Sequence, residues 1–129
     1  MLRAPKLRSD YNFPWLHKFL GLRTTTLSIW PPVEHKPKQV KGETFMCLLS
    51  GEESFRLISS VFKQNLYSGV YDDLPPADIP DDINFFQLNE QKYPLLKQVE
   101  SYILKATLSS GDCIYIPAYY WFQTKSISE

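Results

Sequence analysis

The chain has 129 residues, of which 43% are hydrophobic and 15% aromatic, and its 14 basic side chains balance its 14 acidic ones. This length and composition are typical of one globular domain and exclude a disordered or fibrous chain. Because no apolar run is long enough to cross a bilayer and the first residues lack a secretory signal, we expect an intracellular protein, soluble or peripheral to an assembly.

The charge is distributed unevenly along the chain. Residues 1–41 hold eight Lys or Arg and two acidic residues, a net charge of +6, whereas residues 42–129 hold six and twelve, a net charge of −6. A basic N-terminal segment could contact an acidic protein or a nucleic acid. A solvated basic arm is the simpler interpretation, because these side chains follow no groove-reading motif.

The N-terminal third is predicted to pack a short segment against a β domain. Residues 1–23 contain apolar side chains at helical spacing, which indicates a short helical turn: Trp15, Leu16, Phe19 and Leu20. Residues 24–30 are β-branched and apolar and precede two prolines, which predicts a strand. Residues 36–42 are predicted to form a polar loop.

The middle of the chain predicts a hairpin and a long loop. Residues 43–49 and 54–58 have strand composition, and the Gly-containing turn between them favours pairing of the two strands. Residues 64–83 contain three prolines and five aspartates, a composition that no regular element tolerates. We expect a solvated loop there.

The C-terminal third predicts a short helix over 92–99, a strand over 102–108, a turn over 109–112 and a strand over 113–116. Short strands separated by Gly and Pro indicate an all-β barrel or sandwich. Cys47 and Cys113 lie in apolar, strand-like surroundings without the spacing of a zinc or redox motif, so we expect buried free thiols.

The most informative stretch is residues 110–123, which read Ser-Gly-Asp-Cys-Ile-Tyr-Ile-Pro-Ala-Tyr-Tyr-Trp-Phe-Gln. This stretch resembles the motif G-D-x-h-x-I-P-x-x-W-W-H of Jumonji-C (JmjC) and cupin-like oxygenases, in which h is apolar and the closing His ligates iron. Phe122 stands at the position of that His. Because a phenyl ring has no lone pair to donate, this difference removes a ligand rather than weakening it.

The resemblance extends over most of the chain, from about residue 11 to residue 126. It implies a mainly β fold, the double-stranded β-helix of the cupin or jelly-roll barrel, which is open at one end. The barrel would occupy residues 24–129 and carry the loop at 64–83, with residues 1–23 packed against it.

The resemblance also implies where the other metal ligands would be. In catalytic members a His-x-Asp/Glu pair and the later His form a facial triad for Fe(II), beside 2-oxoglutarate. The family spacing before Gly51 places that pair on Lys38-Gln39-Val40, which contains no ligand type. A shift of three residues reaches His35 but brings Pro37 to the carboxylate position.

The cosubstrate position differs as well. The Lys that binds 2-oxoglutarate in many family members falls on Glu53, whose negative charge would repel the cosubstrate carboxylate. His35, together with Glu34 or Glu43, is the remaining candidate for metal binding, although a lone His beside a loop is more often structural. His17, between aromatic residues, is also interpreted as structural.

We therefore expect no catalytic residue, no metal and no cofactor. The former metal and cosubstrate positions are Lys38, Val40, Glu53 and Phe122. Four aromatic side chains are predicted to fill or flank the former pocket: Tyr115, Tyr119, Tyr120 and Trp121.

The leading hypothesis is a non-catalytic JmjC/cupin-like domain that serves as a structural or protein-interaction module, as a subunit or accessory part of a larger assembly. The alternatives are an Fe(II)/2-oxoglutarate-dependent hydroxylase, which would need ligands that the sequence does not display, and a cupin that binds a small ligand in its barrel mouth. No Ser/His/Asp triad, P-loop or zinc motif competes with these readings.

The C-terminus predicts an incomplete barrel. Family barrels have a further strand after the Trp-containing segment, whereas this sequence stops at Glu129. We expect the strand over 121–127 to lie at an unpaired sheet edge, which another protein chain or a continuation of this one would cover.

Overall fold

The computed structural model describes residues 28, 33–69 and 78–127. Apart from Ser28, these residues belong to one compact unit, Pro31–Glu129. The predicted helical turn in 1–23 and His17 lie outside the described residues, as does the predicted strand 24–30 apart from Ser28.

Six strands are described, and all of their pairings are antiparallel. Four form one sheet in the order β1-β6-β3-β4, and two form a second sheet, β2-β5. The strands are β1 (Lys38–Gln39), β2 (Thr44–Cys47), β3 (Glu52–Ile58), β4 (Leu104–Ser109), β5 (Cys113–Ile116) and β6 (Trp121–Ser126). Two packed antiparallel sheets are the arrangement of a jelly roll, so the predicted fold class is confirmed.

Helical structure in the described part of the chain is limited to short 3-10 segments, at Ser60–Phe62, Pro94–Gln98 and Glu100–Tyr102. The second of these lies within the short helix predicted over 92–99, with Pro94 at its start. No helix among the described residues has the length or apolarity needed to cross a bilayer.

The predicted hairpin across Gly51 is wrong, because β2 and β3 lie in different sheets. The end of β2 is held instead by the turn that follows β4: the Leu48 amide donates to the Asp112 carbonyl at 2.9 Å, and the Gly111 amide donates to the Leu48 carbonyl at 2.7 Å. Gly51 has a φ of 84°, a conformation that lets the chain change direction between the sheets. Turn composition indicates that the chain turns, but it does not identify the pairing partner.

The predicted position of the C-terminal strand is also wrong, because β6 lies inside the four-stranded sheet. It pairs with β3 along one side and with β1 along the other. A bridge between Glu34 and Lys125, together with a 3.0 Å hydrogen bond from the His35 amide to the Thr124 carbonyl, extends this second side beyond β1. The segment predicted as a polar loop, 36–42, supplies β1 and thereby covers β6.

Cys47 and Cys113 form a disulfide, so the prediction of buried free thiols is wrong. Cys47 and Cys113 are cross-strand partners in the β2–β5 pair, and Cys113 is exposed. Their separation of 66 residues in sequence hides this proximity. The disulfide joins the strand that precedes β3 to the strand that follows β4.

The inner cluster is an apolar core between the two sheets. Its buried members are Val40, Phe55, Leu57, Leu108 and Ile116. Half-buried side chains from both sheets complete it, among them Met46, Ile114 and Phe122. The face of the four-stranded sheet that carries these residues is its inner face.

The outer cluster packs on the opposite, outer face of the same sheet. Only two of its buried members, Ile58 and Trp121, belong to strands, and the others come from the irregular chain between β3 and β4: Leu66, Ile79, Ile83, Phe85, Tyr93, Leu96 and Val99. The loop predicted over 64–83 is therefore not simply solvated, because three of its apolar side chains lie in a core. Proline and aspartate explain its irregular backbone but not its burial.

Candidate functional site

Strand β6 presents alternate side chains to opposite faces of the four-stranded sheet. Phe122 lies across from Leu57 on the inner face, whereas Trp121 lies across from Ile58 on the outer face. The residue at the position of the closing His thus faces the space between the sheets. Successive side chains of a strand point to opposite faces of the sheet. The Leu57–Phe122 pair therefore packs in the inner cluster and the neighbouring Ile58–Trp121 pair in the outer cluster.

The positions predicted for the other two ligands lie next to Phe122. Lys38 is the cross-strand partner of Phe122 in the β1–β6 pair. Val40 is 8% exposed and belongs to the same cluster that Phe122 packs against. The loop before β6 holds Val40 by two backbone hydrogen bonds, from the Val40 amide to the Tyr120 carbonyl at 3.0 Å and from the Tyr119 amide to the Val40 carbonyl at 2.8 Å.

Glu53, at the predicted cosubstrate position, is buried with 6% exposure. It shares the inner face with Phe55 and Leu57, and its cross-strand partners are Leu108 and Ser126. Thr124, two residues after Phe122 on that face, is also buried. All four predicted positions thus lie on the inner side of one sheet, but only Lys38, Val40 and Phe122 are close neighbours, because Glu53 lies four residues along β3 from Leu57, the partner of Phe122.

The four predicted pocket aromatics are placed differently from one another. Tyr120 is half-buried and packs on the inner cluster beside Phe122. Trp121 faces the outer cluster, and Tyr115 and Tyr119 are exposed by 45% and 56%. The structure therefore brings only Tyr120 of these four to the cluster that contains Val40.

Tyr119 has a backbone conformation that is uncommon for a side-chain-bearing residue, with a φ of 65°. The Gln39 side-chain amide donates to its carbonyl at 3.0 Å, and its own amide donates to Val40. These two bonds fasten the turn before β6 to β1. They set the register that places Lys38 opposite Phe122.

A facial Fe(II) site does not fit the residues at the three ligand positions. Such a site needs two imidazole nitrogens and a carboxylate on adjacent strands, with open positions for cosubstrate and oxygen. Here the corresponding side chains are an exposed ammonium, a buried isopropyl group and a half-buried phenyl ring. Neither hydrocarbon group offers a donor atom, and an ammonium carries no free lone pair.

The two carboxylates predicted as candidate ligands together with His35 have other partners. Glu34 accepts a hydrogen bond from Asn84 and pairs with Lys125 at 3.3 Å. Glu43 accepts a 2.9 Å hydrogen bond from the Tyr115 hydroxyl, and this bond raises the pKa of that hydroxyl, with burial adding to the rise. Across the ranges that the structure describes, no group of three His, Cys, Asp or Glu side chains is arranged to hold a metal ion.

Two features of the outer face were not predicted from the sequence. Gln123 is 2% exposed, and its side-chain oxygen accepts a 2.6 Å hydrogen bond from the Phe85 amide, which ties the irregular segment to β6. Arg56 lies over the Phe86 ring, 4.6 Å from its centroid. Strand alternation could have placed Gln123 and Arg56 on the outer face, because each follows an inner-face residue, Phe122 and Phe55 respectively.

Comparisons with known proteins agree with this architecture. A family model described as a cupin-like domain matches residues 2–129, so the chain belongs to the cupin-like domain family. The chain is also similar to JmjC domain-containing protein D of Dictyostelium discoideum, with 26% identity over 102 residues. That alignment covers 76% of this chain and 20% of the relative, so the chain spans about a fifth of the length of the relative it matches.

Proposed function

We propose that this cupin-like domain is non-catalytic and serves as a structural or protein-interaction module. One observation carries the proposal: the residues at the predicted ligand positions are neighbours, yet two of them, Val40 and Phe122, pack in an apolar core and the third, Lys38, is an exposed cation. Lys38 and Phe122 are cross-strand partners, and Val40 and Phe122 share the inner cluster. The apolar side chains of Val40 and Phe122 thus fill the space that metal ligands would need.

Burial supports a structural role for this convergence. In a close-packed interior, a half-buried phenyl ring and a buried Val contribute stability through apolar burial and dispersion. Replacing these groups with His and Asp would remove that contribution and would require a metal to offset the buried polar atoms. The residues present are therefore suited to hold the two sheets together.

The role of an accessory part of a larger assembly rests on different support. The matched relative is a much longer protein, of which this chain spans a fifth. Several aromatic side chains outside the cores are exposed, including Tyr102, Tyr115 and Tyr119. Exposed aromatic residues are enriched at protein interfaces. The predicted partner at β6 is not part of this proposal, because β6 already has strands on both sides.

The proposal is tested by anaerobic calorimetry with Fe(II) and 2-oxoglutarate added to the purified protein. We expect no saturable heat, because the ligand positions offer no donor set. Stoichiometric binding with micromolar affinity would contradict a non-catalytic role. His35→Ala serves as the matched variant: if binding were seen and this variant abolished it, the metal would be held by the alternative ligand set around His35.

A further inference from the structure

Three neighbouring strands each carry a cation on the outer face of the four-stranded sheet. Arg56 of β3 lies directly opposite Lys105 of β4, and Lys125 of β6 lies opposite Ser54, one pair further along. We call Lys105, Arg56 and Lys125 the cationic row. Like charges directly opposite each other on antiparallel strands are destabilising, so this arrangement has a cost for the isolated sheet.

The described carboxylates offset only part of this charge. Lys125 pairs with Glu34 at 3.3 Å, and the other two ion pairs among the described residues join Lys36 to Asp81 and Lys92 to Asp82. None of them involves Arg56 or Lys105. The strand carboxylate that the register adds to this face is Glu52, four residues before Arg56 and about 13 Å away along the strand.

Two of the three cations, Arg56 and Lys125, lie over the ring of Phe86. The guanidinium carbon is 4.6 Å from the ring centroid, and the Lys125 ammonium lies 5.9 Å from the same centroid. Lys105 takes part in none of the ion pairs or cation–π contacts found among the described residues, and it is exposed to solvent.

Strand β4 is also an edge among the described residues, since it pairs with β3 only. Its side chains alternate between an apolar set and a polar set, and the apolar set begins with Leu104, which is 57% exposed. Lys105 and Thr107 form the polar set on the outer side. A lysine on an edge strand also opposes aggregation, and the peptide experiments below distinguish that role from binding.

We propose that the edge of β4, which has no strand beside it among the described residues, binds an extended acidic segment of a partner protein by strand addition. A strand added antiparallel or parallel to β4 would place alternate residues beside Leu104 and beside Lys105. The matching segment thus alternates apolar and acidic residues, with its carboxylates over the Lys105 side. A nucleic acid could satisfy the cations but not the backbone amides and carbonyls of the edge, so the observations favour a peptide.

This inference names a partner for the interaction role proposed above, and it uses the face of the sheet opposite the candidate metal positions. The two proposals can therefore fail separately. Iron binding in calorimetry would remove the non-catalytic role without affecting the β4 edge, and failure of peptide binding would leave the non-catalytic role unchanged.

The probe is a short, capped, fluorescently labelled peptide of alternating valine and glutamate, titrated into the full chain by anisotropy. We expect saturable binding, weakened about tenfold by Lys105→Glu and weakened also by added salt. Lys41→Glu should leave the affinity unchanged, because it reverses a charge at an exposed site beside the turn before β6, away from β4. The same peptide with lysine in place of glutamate should not bind.

Strand addition is tested separately from charge attraction. A peptide methylated on alternate backbone nitrogens cannot pair along an edge, so it should lose binding although its charge is unchanged. The amides of Leu104–Ser109 should gain protection from hydrogen exchange when the unmodified peptide is bound. The proposal would be overturned if the peptide did not bind, or if it bound without that protection. It would also be overturned if single-stranded oligothymidylate bound equally well and Lys105→Glu abolished that binding too.

Discussion

The two faces of the four-stranded sheet are covered in different ways. The inner face packs against the second sheet, and its core is made largely of strand residues such as Phe55, Leu57 and Ile116. The outer face packs against irregular chain, and only Ile58 and Trp121 of its core belong to strands. The predicted ligand positions Val40 and Phe122 lie on the inner face, in contact with its apolar cluster.

This difference separates the packing of the outer face from the packing at the predicted ligand positions. The outer cluster packs on the opposite face of the sheet from the predicted ligand positions, so side-chain changes on the inner face do not remove its contacts. On the inner face, the apolar side chains of Val40 and Phe122 add contacts between the sheets and introduce no polar group that needs a partner. Trp121 and Phe122, adjacent on β6, allow the contributions of the outer and inner clusters to stability to be measured separately.

The largest expected effect comes from Trp121→Ala on the outer face. Because Trp121 is 2% exposed in the outer cluster, we expect a loss of about 3–5 kcal/mol in the free energy of unfolding, measured by urea denaturation. Phe122→Ala, one residue later on the inner face, should cost about half as much, since Phe122 is only half-buried. A larger loss for Phe122→Ala would show that the inner face is the main anchor.

The second prediction concerns the disulfide that closes the smaller sheet. Cys47→Ser should lower the free energy of unfolding by about 2–4 kcal/mol under oxidising conditions, because the cross-link constrains 66 residues of the unfolded chain. A reducing agent should lower the stability of the wild-type protein by the same amount and leave the variant unchanged. Equal stability of the oxidised wild type and Cys47→Ser would contradict a stabilising cross-link.

The third prediction tests how the irregular segment is attached to the outer face. Gln123→Ala leaves the buried Phe85 amide without its acceptor, and we expect a loss of about 1–3 kcal/mol in thermal or chemical unfolding. Gln91→Ala, at an exposed position, serves as the control and should change little. If both variants were equally stable, the segment would be attached by apolar contacts alone.

The smallest expected effect depends on pH. Hydrogen bonds from Lys92 and Tyr93 hold the pKa of Asp82 below its ordinary value of 3.8. A lowered pKa means that the ionised carboxylate contributes stability above pH 3.8, and that this contribution is lost as the pH falls through the lower folded value. Because the Lys92 pair is solvent-exposed, the contribution is small.

Asp82→Asn should therefore lower the thermal midpoint slightly at neutral pH and not at all in strong acid. Asp81→Asn is the matched control, since Asp81 pairs with Lys36 at a more exposed position. If the difference in thermal midpoint between wild type and Asp82→Asn grew on acidification, it would contradict a stabilising role of the ionised Asp82 carboxylate.

Sequence patterns predicted the inner side of this molecule better than the outer side. The strand over 113–116 and the Gly111–Asp112 turn could be placed because the motif and its turn residues are local. The spacing before Gly51 led to Lys38 and Val40, which the structure places beside Phe122. Family resemblance was necessary for this step, because composition alone marks 36–42 as a loop.

The features that were missed depend on contacts between distant parts of the chain. The Cys47–Cys113 disulfide, the separate sheets of β2 and β3, and the burial of Leu66 and Ile79 all arise from tertiary packing. No local periodicity encodes such contacts. The pairing of β6 on both sides was missed for the same reason, since β1 contributes only two residues to it.

The proposed function requires that Lys38, Val40 and Phe122 occupy the ligand positions of the family without binding a metal. Phe122→His alone should not restore activity, because the carboxylate ligand would still be missing. The triple variant Lys38→His/Val40→Asp/Phe122→His supplies a full facial set on the inner face. A control triple, Gln39→His/Lys41→Asp/Phe122→His, shifts the pair by one residue and so points it to the opposite face.

The most direct measurement is a titration of the three proteins with Co(II), a spectroscopic substitute for Fe(II), followed by visible absorption. The account predicts a saturable band at one equivalent for the ligand-restored triple variant, and no such band for the wild type or the shifted control. Saturable binding by the wild type, or equal behaviour of the two triple variants, would contradict it.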